Sequence, residues 1–317
     1  MMRHRYRSSF RLACVLALLA SVLAGCAQAG TTSRTARAGA SPTAAASPTS
    51  TATPIPPPPA PQIAAGSALL MDTQTGAVLF SQNANAEVAM ASTTKIMTAV
   101  VALTYGNANT PVTIGPDAVA MQNGQDSVAN LRLGDTLPLS DMLYALLLPS
   151  GDDAAVAIAH TIAGSQAGFV HLMNQEAFLL GLFHTHYANV HGLDEAGHYT
   201  TAMDLARLTR FAMRIPLFAQ VVRTATYTLP ATARHGAYTW INTNELLAMH
   251  PYPGADGVKT GFTGNAGYCL VFSAVRGGVP LLGVLLGEQT YEGRFTDAAA
   301  LLNWGYSIER PKVPAAG

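Results

Sequence analysis

The stretch "MASTTKIMTAV", residues 90–100, decides how the fold is read. Ile96, Met97, Ala99, Val100 and Val101, continued by Ala102 and Leu103, go all round a helix. A helix that is apolar on every face belongs at the buried centre of a domain. The same stretch carries an unusual cation. The chain has fifteen arginines and only three lysines, Lys95, Lys259 and Lys312. An amine, unlike a guanidinium, can be pulled toward neutrality by burial or by a second cation and then act as a base. Ser92 lies three residues before Lys95, so the two share one helix face. A serine hydroxyl is a weak nucleophile until a base takes its proton, and backbone N–H groups at a helix start can hold a developing oxyanion. Taken alone, S-x-x-K also fits a solvent-facing Ser-Thr-Thr-Lys cap.

Working outward, "SALLMDTQTGAVLF" (67–80) reads as two strands around a Thr-Gly turn. The middle third is helical. Ser140 is placed to cap "DMLYALLL", and "DDAAVAIAHTIAG" follows. In "SQAGFVHLMNQEAFLLGL", Phe169, Leu172, Met173, Ala177 and Leu180 form one stripe, and Thr200 or Thr201 can cap "TTAMDLARLTRFAMR". After about residue 224 the character turns to strand, in "TATYTL", "AYTWI", "GYCLVFSAV" and "VPLLGVLLG", before a closing helix "GRFTDAAALLNWGYSI". Strands at both ends with helices between them predict an α+β fold. In it an antiparallel sheet built from both termini is covered by helices, with a helical lobe inserted.

Two further elements share the Ser/Thr/Gly setting of Ser92. "DGVKTGFTGNAGYCLVFSAV" places Lys259, Thr260 and Gly261 at the start of an apolar strand. "LLLPSGDDAA" (146–155) puts Ser150 on a Pro-Ser-Gly break between two apolar helices. Buried, such a break exposes polar backbone without a purpose unless the site uses it.

S-x-x-K, Ser-Gly-x and K-T-G in this order resemble the signature set of penicillin-binding proteins and serine β-lactamases. The chain is most similar to the D-alanyl-D-alanine carboxypeptidases, the low-molecular-mass penicillin-binding proteins. "HGLDEAGHYTTAMDLARL", "NTNELL", "GADGVKTGFTGNAGYCLVFSAVRGG" and "TYEGRF…ALLNWGY" carry the likeness over about residues 63–307. The resemblance implies a β-lactamase/transpeptidase-like fold and a serine D,D-peptidase that removes D-Ala from peptidoglycan stem peptides and is acylated by β-lactams. It implies that Ser92 attacks the carbonyl of the penultimate D-Ala and that Lys95 takes its proton. Ser150 relays a proton to the leaving amine. Lys259, with Thr260, binds the terminal carboxylate with help from Arg294, Gly261 belongs to the same substrate-binding set, and the N–H groups of Ser92 and Phe262 form the oxyanion hole. No cofactor and no metal is implied.

One position departs from the pattern. The third residue of the Ser-Gly-x element is Asp152, where the family carries Asn. An ionised Asp only accepts hydrogen bonds, and a carboxylate beside Lys95 is expected to keep that amine protonated. The expectation is a working enzyme with a shifted pH profile. Two rivals carry different chemistry. A class A-like β-lactamase needs a deacylating base, for which Glu245 in "NTNELL" is the candidate, and a non-catalytic envelope lipoprotein would bind stem peptides or penicillin without turnover. His184, His186, His191 and His198 lie close in sequence but lack an acidic partner at ligand spacing. His191-Gly192 fits a structural turn.

The two ends complete the reading. Residues 1–11 hold four arginines, and the apolar run "LACVLALLASVLAG" (12–25) follows, as in a secretory signal. "LAGC" (23–26) resembles the lipobox of bacterial lipoproteins, which makes Cys26 the lipidated first residue. Cys14 then leaves with the signal and Cys269 remains alone as a small core residue, so no disulfide framework forms. A diacylated Cys suffices for stable anchoring. Residues 27–61 are rich in Ala, Thr, Ser and Pro, including "PIPPPPAP" (54–61), too poor in apolar bulk to fold and extended where proline dominates. The expected organisation is a signal peptide at 1–25, lipidated Cys and tether at 26–61, peptidase domain at 62–309 and a tail at 310–317. The protein is expected to be exported and held on the outer face of a bacterial cytoplasmic membrane. The tail is too short for a second domain or an amphipathic anchor. At 49% hydrophobic and 11% charged the chain can bury a large core. Its formal net charge of zero offers no basic surface for nucleic acid.

Overall fold

Residues 67–72 bury all six side chains in strand β1, Ser67–Asp72. Burial on both sides means that each face of this strand packs on something. In the computed structural model, which describes residues 58–124 and 127–308, β1 sits inside a five-stranded antiparallel sheet of order β2-β1-β9-β8-β7. The other strands are β2, Val78–Gln82, β7, Ala255–Thr263, β8, Gly267–Arg276, and β9, Val279–Glu288. The joint between the two ends of the chain is the β1–β9 ladder, in which Leu69 faces Val284 and Met71 faces Leu282. The α+β sheet built from both termini is therefore present as the sequence predicts.

Side chains alternate across a strand, and the two faces of this sheet feed two cores. Leu69, Met71, Val271, Leu282 and Val284 face a large cluster that contains α1, Lys95–Tyr105. Ala68, Leu70, Phe272, Leu281 and Leu285 face a smaller one closed by Leu301 and Leu302 of α8, Gly293–Ile308. Every residue from Lys95 to Ala102 is buried, which matches a helix apolar all round. Cys269 is buried in the large cluster as expected of a core thiol.

The inserted lobe contains β3, Pro111–Thr113, α2, Pro116–Ala120, β4, Thr136–Pro138, α3, Leu139–Leu147, α4, Asp152–Ala163, and α5, Gln166–Leu179. After it come α6, Ala202–Ala212, α7, Pro216–Val222, and a hairpin of β5, Thr226–Leu229, with β6, Tyr238–Ile241. That hairpin is a separate two-stranded sheet. It docks on α3 through rings, with Tyr144 stacked on Tyr227 at 3.8 Å and Tyr227 followed by Trp240.

Three local expectations change. Ser92 lies on a 3-10 turn, Ala91–Thr94, and the α-helix proper begins at Lys95. Ser140 does not cap α3, which the chain enters from Pro138 without a side-chain cap, whereas Thr201 does cap α6 by accepting from Asp204 N–H. Lys259-Thr260-Gly261 sits inside β7, an edge strand of its own, and the apolar run "GYCLVFSAV" is the neighbouring β8. The signal at 1–25, Cys26, the tether as far as residue 57 and the tail at 310–317 lie outside the described residues.

Candidate active site

The 3-10 turn brings the hydroxyl of Ser92 and the amine of Lys95 together at 2.8 Å, Lys95 Nζ donating to Ser92 Oγ. Lys95 is completely buried. It also donates to the carbonyl of His191 at 2.8 Å, and Asp152 Oδ1 lies 2.6 Å from its nitrogen. This last contact is an ion pair whose angles fall outside hydrogen-bond geometry. Three oxygen atoms thus surround an amine that has three donors when charged. A buried ammonium without such partners would be costly, and the carboxylate supplies the compensating charge.

Ser150 offers a second hydroxyl two residues before Asp152. It precedes α4, is 4% exposed, and its Oγ has no hydrogen-bond partner among the described residues. Its φ is +68°, and that of Ala91, just before the nucleophile, is +47°. A non-glycine residue held in this region costs free energy unless its surroundings enforce it, and such residues gather at functional sites.

Strand β7 forms the opposite wall. A Cβ on Gly261 would fall 3.1 Å from the Ser92 nitrogen and 3.0 Å from Ala91 Cβ. Glycine here lets the strand backbone lie directly against the nucleophile turn. The Phe262 side chain is 55% exposed and stacks on Tyr268 at 4.4 Å, so the contribution of Phe262 at this end of β7 is its backbone. The expected oxyanion pair, Ser92 N–H and Phe262 N–H, thus belongs to two segments in direct contact.

Lys259 is 1% exposed and donates to the Thr260 carbonyl at 2.9 Å, while Thr260 Oγ1 meets Thr243 Oγ1 at 2.6 Å. Burial pushes the Lys259 amine well below the usual range, and the charges of Lys95 and Arg294 push the same way, with Asp152 opposing them. Arg294 opens α8, is 4% exposed and reaches the Gly261 carbonyl at 3.4 Å. Its guanidinium lies within a cage of Tyr291, Phe295 and Tyr268 at 4.3, 4.7 and 5.2 Å, where ring faces stabilise a cation poorly reached by water. Burial lowers its affinity for the proton. Lys259 in the middle of β7 and Arg294 against the Gly261 carbonyl offer two buried basic groups that fit an incoming carboxylate.

Ser92, Lys95 and Asp152 meet directly, Gly261 lies against the Ser92 turn, Arg294 reaches the Gly261 carbonyl, and Lys259 lies within electrostatic reach of Lys95, Asp152 and Arg294; Ser150 stands two residues before Asp152. Glu245 is engaged elsewhere. It accepts from Tyr291 OH at 2.6 Å and pairs with His250 at 3.1 Å, at the rim of the arginine cage. The four histidines bond to different partners. His184 pairs with Glu87, His186 bonds the Gly197 carbonyl, and His191 offers its carbonyl to Lys95. His198 lies under the nucleophile turn, where its Nε2 is 2.8 Å from Thr94 Oγ1.

Supports that sequence reading missed lie next to these groups. Buried Asp153 accepts from the N–H groups of Ala129, Leu131 and Ala154 at 2.8, 3.0 and 2.9 Å, and from Gln122 at 3.1 Å. It therefore pins the loop ahead of β4 to α4. Asp194 accepts from Thr263 Oγ1 at 2.7 Å and Asn265 N–H at 3.2 Å, which holds the β7–β8 turn. The doubled acid at 152–153 was a signal for the first, since one acid at a helix start often serves as a backbone acceptor. Nothing local marks Asp194.

Comparison with known proteins adds the family. The model of the D-alanyl-D-alanine carboxypeptidase family matches residues 52–290. A D-alanyl-D-alanine carboxypeptidase of Streptomyces sp. strain K15 is 38% identical over 263 residues, covering 78% of this chain and 89% of that protein. The carboxypeptidase DacA of Escherichia coli K12 is 38% identical over 258 residues, 78% of this chain and 62% of its own length. The crystal structure of the Streptomyces K15 DD-transpeptidase superposes with a TM-score of 0.74 at 36% identity, over 78% of this chain and 99% of that one.

Proposed function

This chain belongs to the D-alanyl-D-alanine carboxypeptidase family, and we propose that it removes the terminal D-Ala from peptidoglycan stem pentapeptides through an acyl-enzyme on Ser92. The observation that carries this reading is the contact of Ser92 with the buried Lys95 amine at 2.8 Å, beside a strand that carries the buried Lys259 and touches the buried Arg294. The terminal carboxylate of the peptide is held by Lys259 and Thr260, with Arg294 behind them. Ser92 Oγ adds to the carbonyl of the penultimate D-Ala while Lys95 Nζ takes the hydroxyl proton. The N–H groups of Ser92 and Phe262 carry the oxyanion. Ser150 Oγ passes a proton to the departing amine as the C–N bond breaks. A water molecule then adds to the ester and releases the shortened peptide, which splits one hard step into two easier ones.

The test is mass analysis of a muropeptide pentapeptide after incubation, with Ser92→Ala as the control. Loss of one alanine that depends on Ser92 supports the reading. Acylation by labelled penicillin without any release of D-Ala would favour the binding-only alternative, and steady nitrocefin turnover the β-lactamase alternative.

Asp152 tunes this site. The protein works with an anion 2.6 Å from its base. Asp152→Asn exchanges a carboxylate that only accepts for an amide that also donates, 2.6 Å from the Lys95 amine, and should change both the rate and the pH profile of kcat/KM. A pH–rate profile of kcat/KM for the variant checks this, and an unchanged rate and profile would refute it.

The N-terminus extends the proposal to location. The basic run, the short apolar stretch and "LAGC" (23–26) support export, cleavage and lipidation at Cys26, with the Ala/Thr/Pro-rich segment as the reach between membrane and domain. No helix among the described residues is long and apolar enough to cross a membrane. Cys26→Ser should move the protein from the membrane pellet to the soluble fraction, and retention in the pellet would point to a different anchor.

A further inference from the structure

Beneath the nucleophile turn runs a chain of hydrogen bonds that catalysis as described does not use. The N–H of Ala188 donates to His198 Nδ1 at 3.0 Å. With that nitrogen accepting, a neutral ring carries its proton on Nε2, which lies 2.8 Å from Thr94 Oγ1. Thr94 Oγ1 in turn donates to the carbonyl of Ala91 at 2.8 Å. Each donor meets one acceptor, and the run ends on the residue bonded to Ser92. Thr94 is fully buried and His198 is 7% exposed. Burial, reinforced by the neighbouring His191 and His186 and opposed by Glu195 and Asp194, pulls the His198 ring down to about 4, so it stays neutral at ordinary pH. Tyr187 packs edge-on against it, the ring centres 5.9 Å apart.

The carbonyl at the end of this run belongs to a residue with a left-handed backbone. Ala91 holds φ +47°, and its oxygen sits so close to Gly192 that a Cβ there would fall 2.1 Å from it. Gly192 itself has φ +104°. The segment that holds His198 therefore also presses on the Ala91 carbonyl from the other side. It touches α1 at two further points, Lys95 to the His191 carbonyl and Thr98 Oγ1 to the Val190 carbonyl at 2.7 Å.

We propose that His198 is a positioning residue for acylation: through Thr94 it fixes the Ala91 carbonyl, and with it the strained turn that aims Ser92 Oγ and its N–H. The proposal rests on the acyl-transfer reading of the site. Without the imidazole N–H, Thr94 keeps its bond to Ala91 but loses the group that orients it. Without the Thr94 hydroxyl, the imidazole N–H and the carbonyl both lose a buried partner. Ser92 would then sample geometries off the attack line, which lowers the rate of bond formation more than ligand binding.

The experiment measures penicillin acylation in the full-length protein by stopped flow, which separates the binding constant from the acylation rate constant. Melting temperature is recorded for each variant. His198→Leu and Thr94→Val should each lower the acylation rate constant about tenfold or more and leave the binding constant within about twofold. His198→Gln, whose amide both accepts and donates, should restore most of the rate. If His198→Leu does not fold, Thr94→Val decides. Folded variants that acylate at the wild-type rate would overturn the proposal. So would a folded His198→Gln as slow as His198→Leu, because the ring would then be needed for its shape rather than its bonds. Failure of the underlying reading looks different: wild-type Ser92 would not be acylated at all.

Discussion

Ser92→Ala should abolish turnover while leaving the fold intact. Among the described residues the Ser92 hydroxyl makes its one side-chain hydrogen bond with Lys95, at 2.8 Å, and the turn around it is held instead by Thr93 and Thr94 bonding back to the carbonyls of Met90 and Ala91. Alanine therefore removes the nucleophile without removing a support. Without that oxygen no ester can form, and the rate of D-Ala release should fall by about 10⁴-fold or more. The melting temperature should change little, and the variant should still bind a stem peptide through Lys259 and Arg294. Steady-state release of D-Ala, measured beside a thermal melt, checks both halves of the expectation.

Lys95→Arg is the second large effect and the more discriminating one. Arginine keeps the positive charge that Asp152 and the His191 carbonyl require, so a purely structural role would survive in part. A guanidinium does not give up its proton in a protein. If Lys95 acts as the base, the variant should lose about 10³-fold in acylation, within the range general-base catalysis usually supplies. Penicillin and peptide should be affected alike, since both begin with attack by Ser92. Stopped-flow acylation of the folded variant checks it. Retention of more than about a tenth of the wild-type rate would assign the base elsewhere.

Much of this site was legible in the sequence because its chemistry is tied to residue types that have no substitute. A neutralisable amine three residues after a serine, a Pro-Ser-Gly break and a Lys-Thr-Gly strand stand out in a chain that otherwise uses arginine. The sheet was legible for a different reason. Apolar runs at both ends of the chain with helical periodicity between them leave few ways to bury both faces, and β1 pairing with β9 is the one that joins the ends.

What could not be read has a common physical cause: it depends on contacts between distant segments. Nothing near residue 198 announces a bond to Thr94, because 104 residues separate the partners. In sequence His198 stood beside three other histidines and invited a metal reading, whereas in the fold the four rings face different partners. The Ser92 turn reads as the start of an α-helix, whereas the chain makes a 3-10 turn over Ala91–Thr94 before the helix begins at Lys95. The "TATYTL" and "AYTWI" strands were legible as strands, yet their separation from the main sheet follows from ring stacking on Tyr144. Asp152 lies between the two cases. Its type was visible and its meaning anticipated, but only the fold places its carboxylate 2.6 Å from Lys95.

The central claim is that a covalent ester forms on Ser92 during release of D-Ala. Acid-quenched intact-mass spectrometry during turnover of a stem pentapeptide tests it most directly, followed by peptide mapping of the trapped species. The account predicts one adduct per chain, with the mass of the peptide less its terminal D-Ala, on the peptide containing Ser92, and none in Ser92→Ala. Release of D-Ala with no adduct, or with an adduct on another residue, would contradict it.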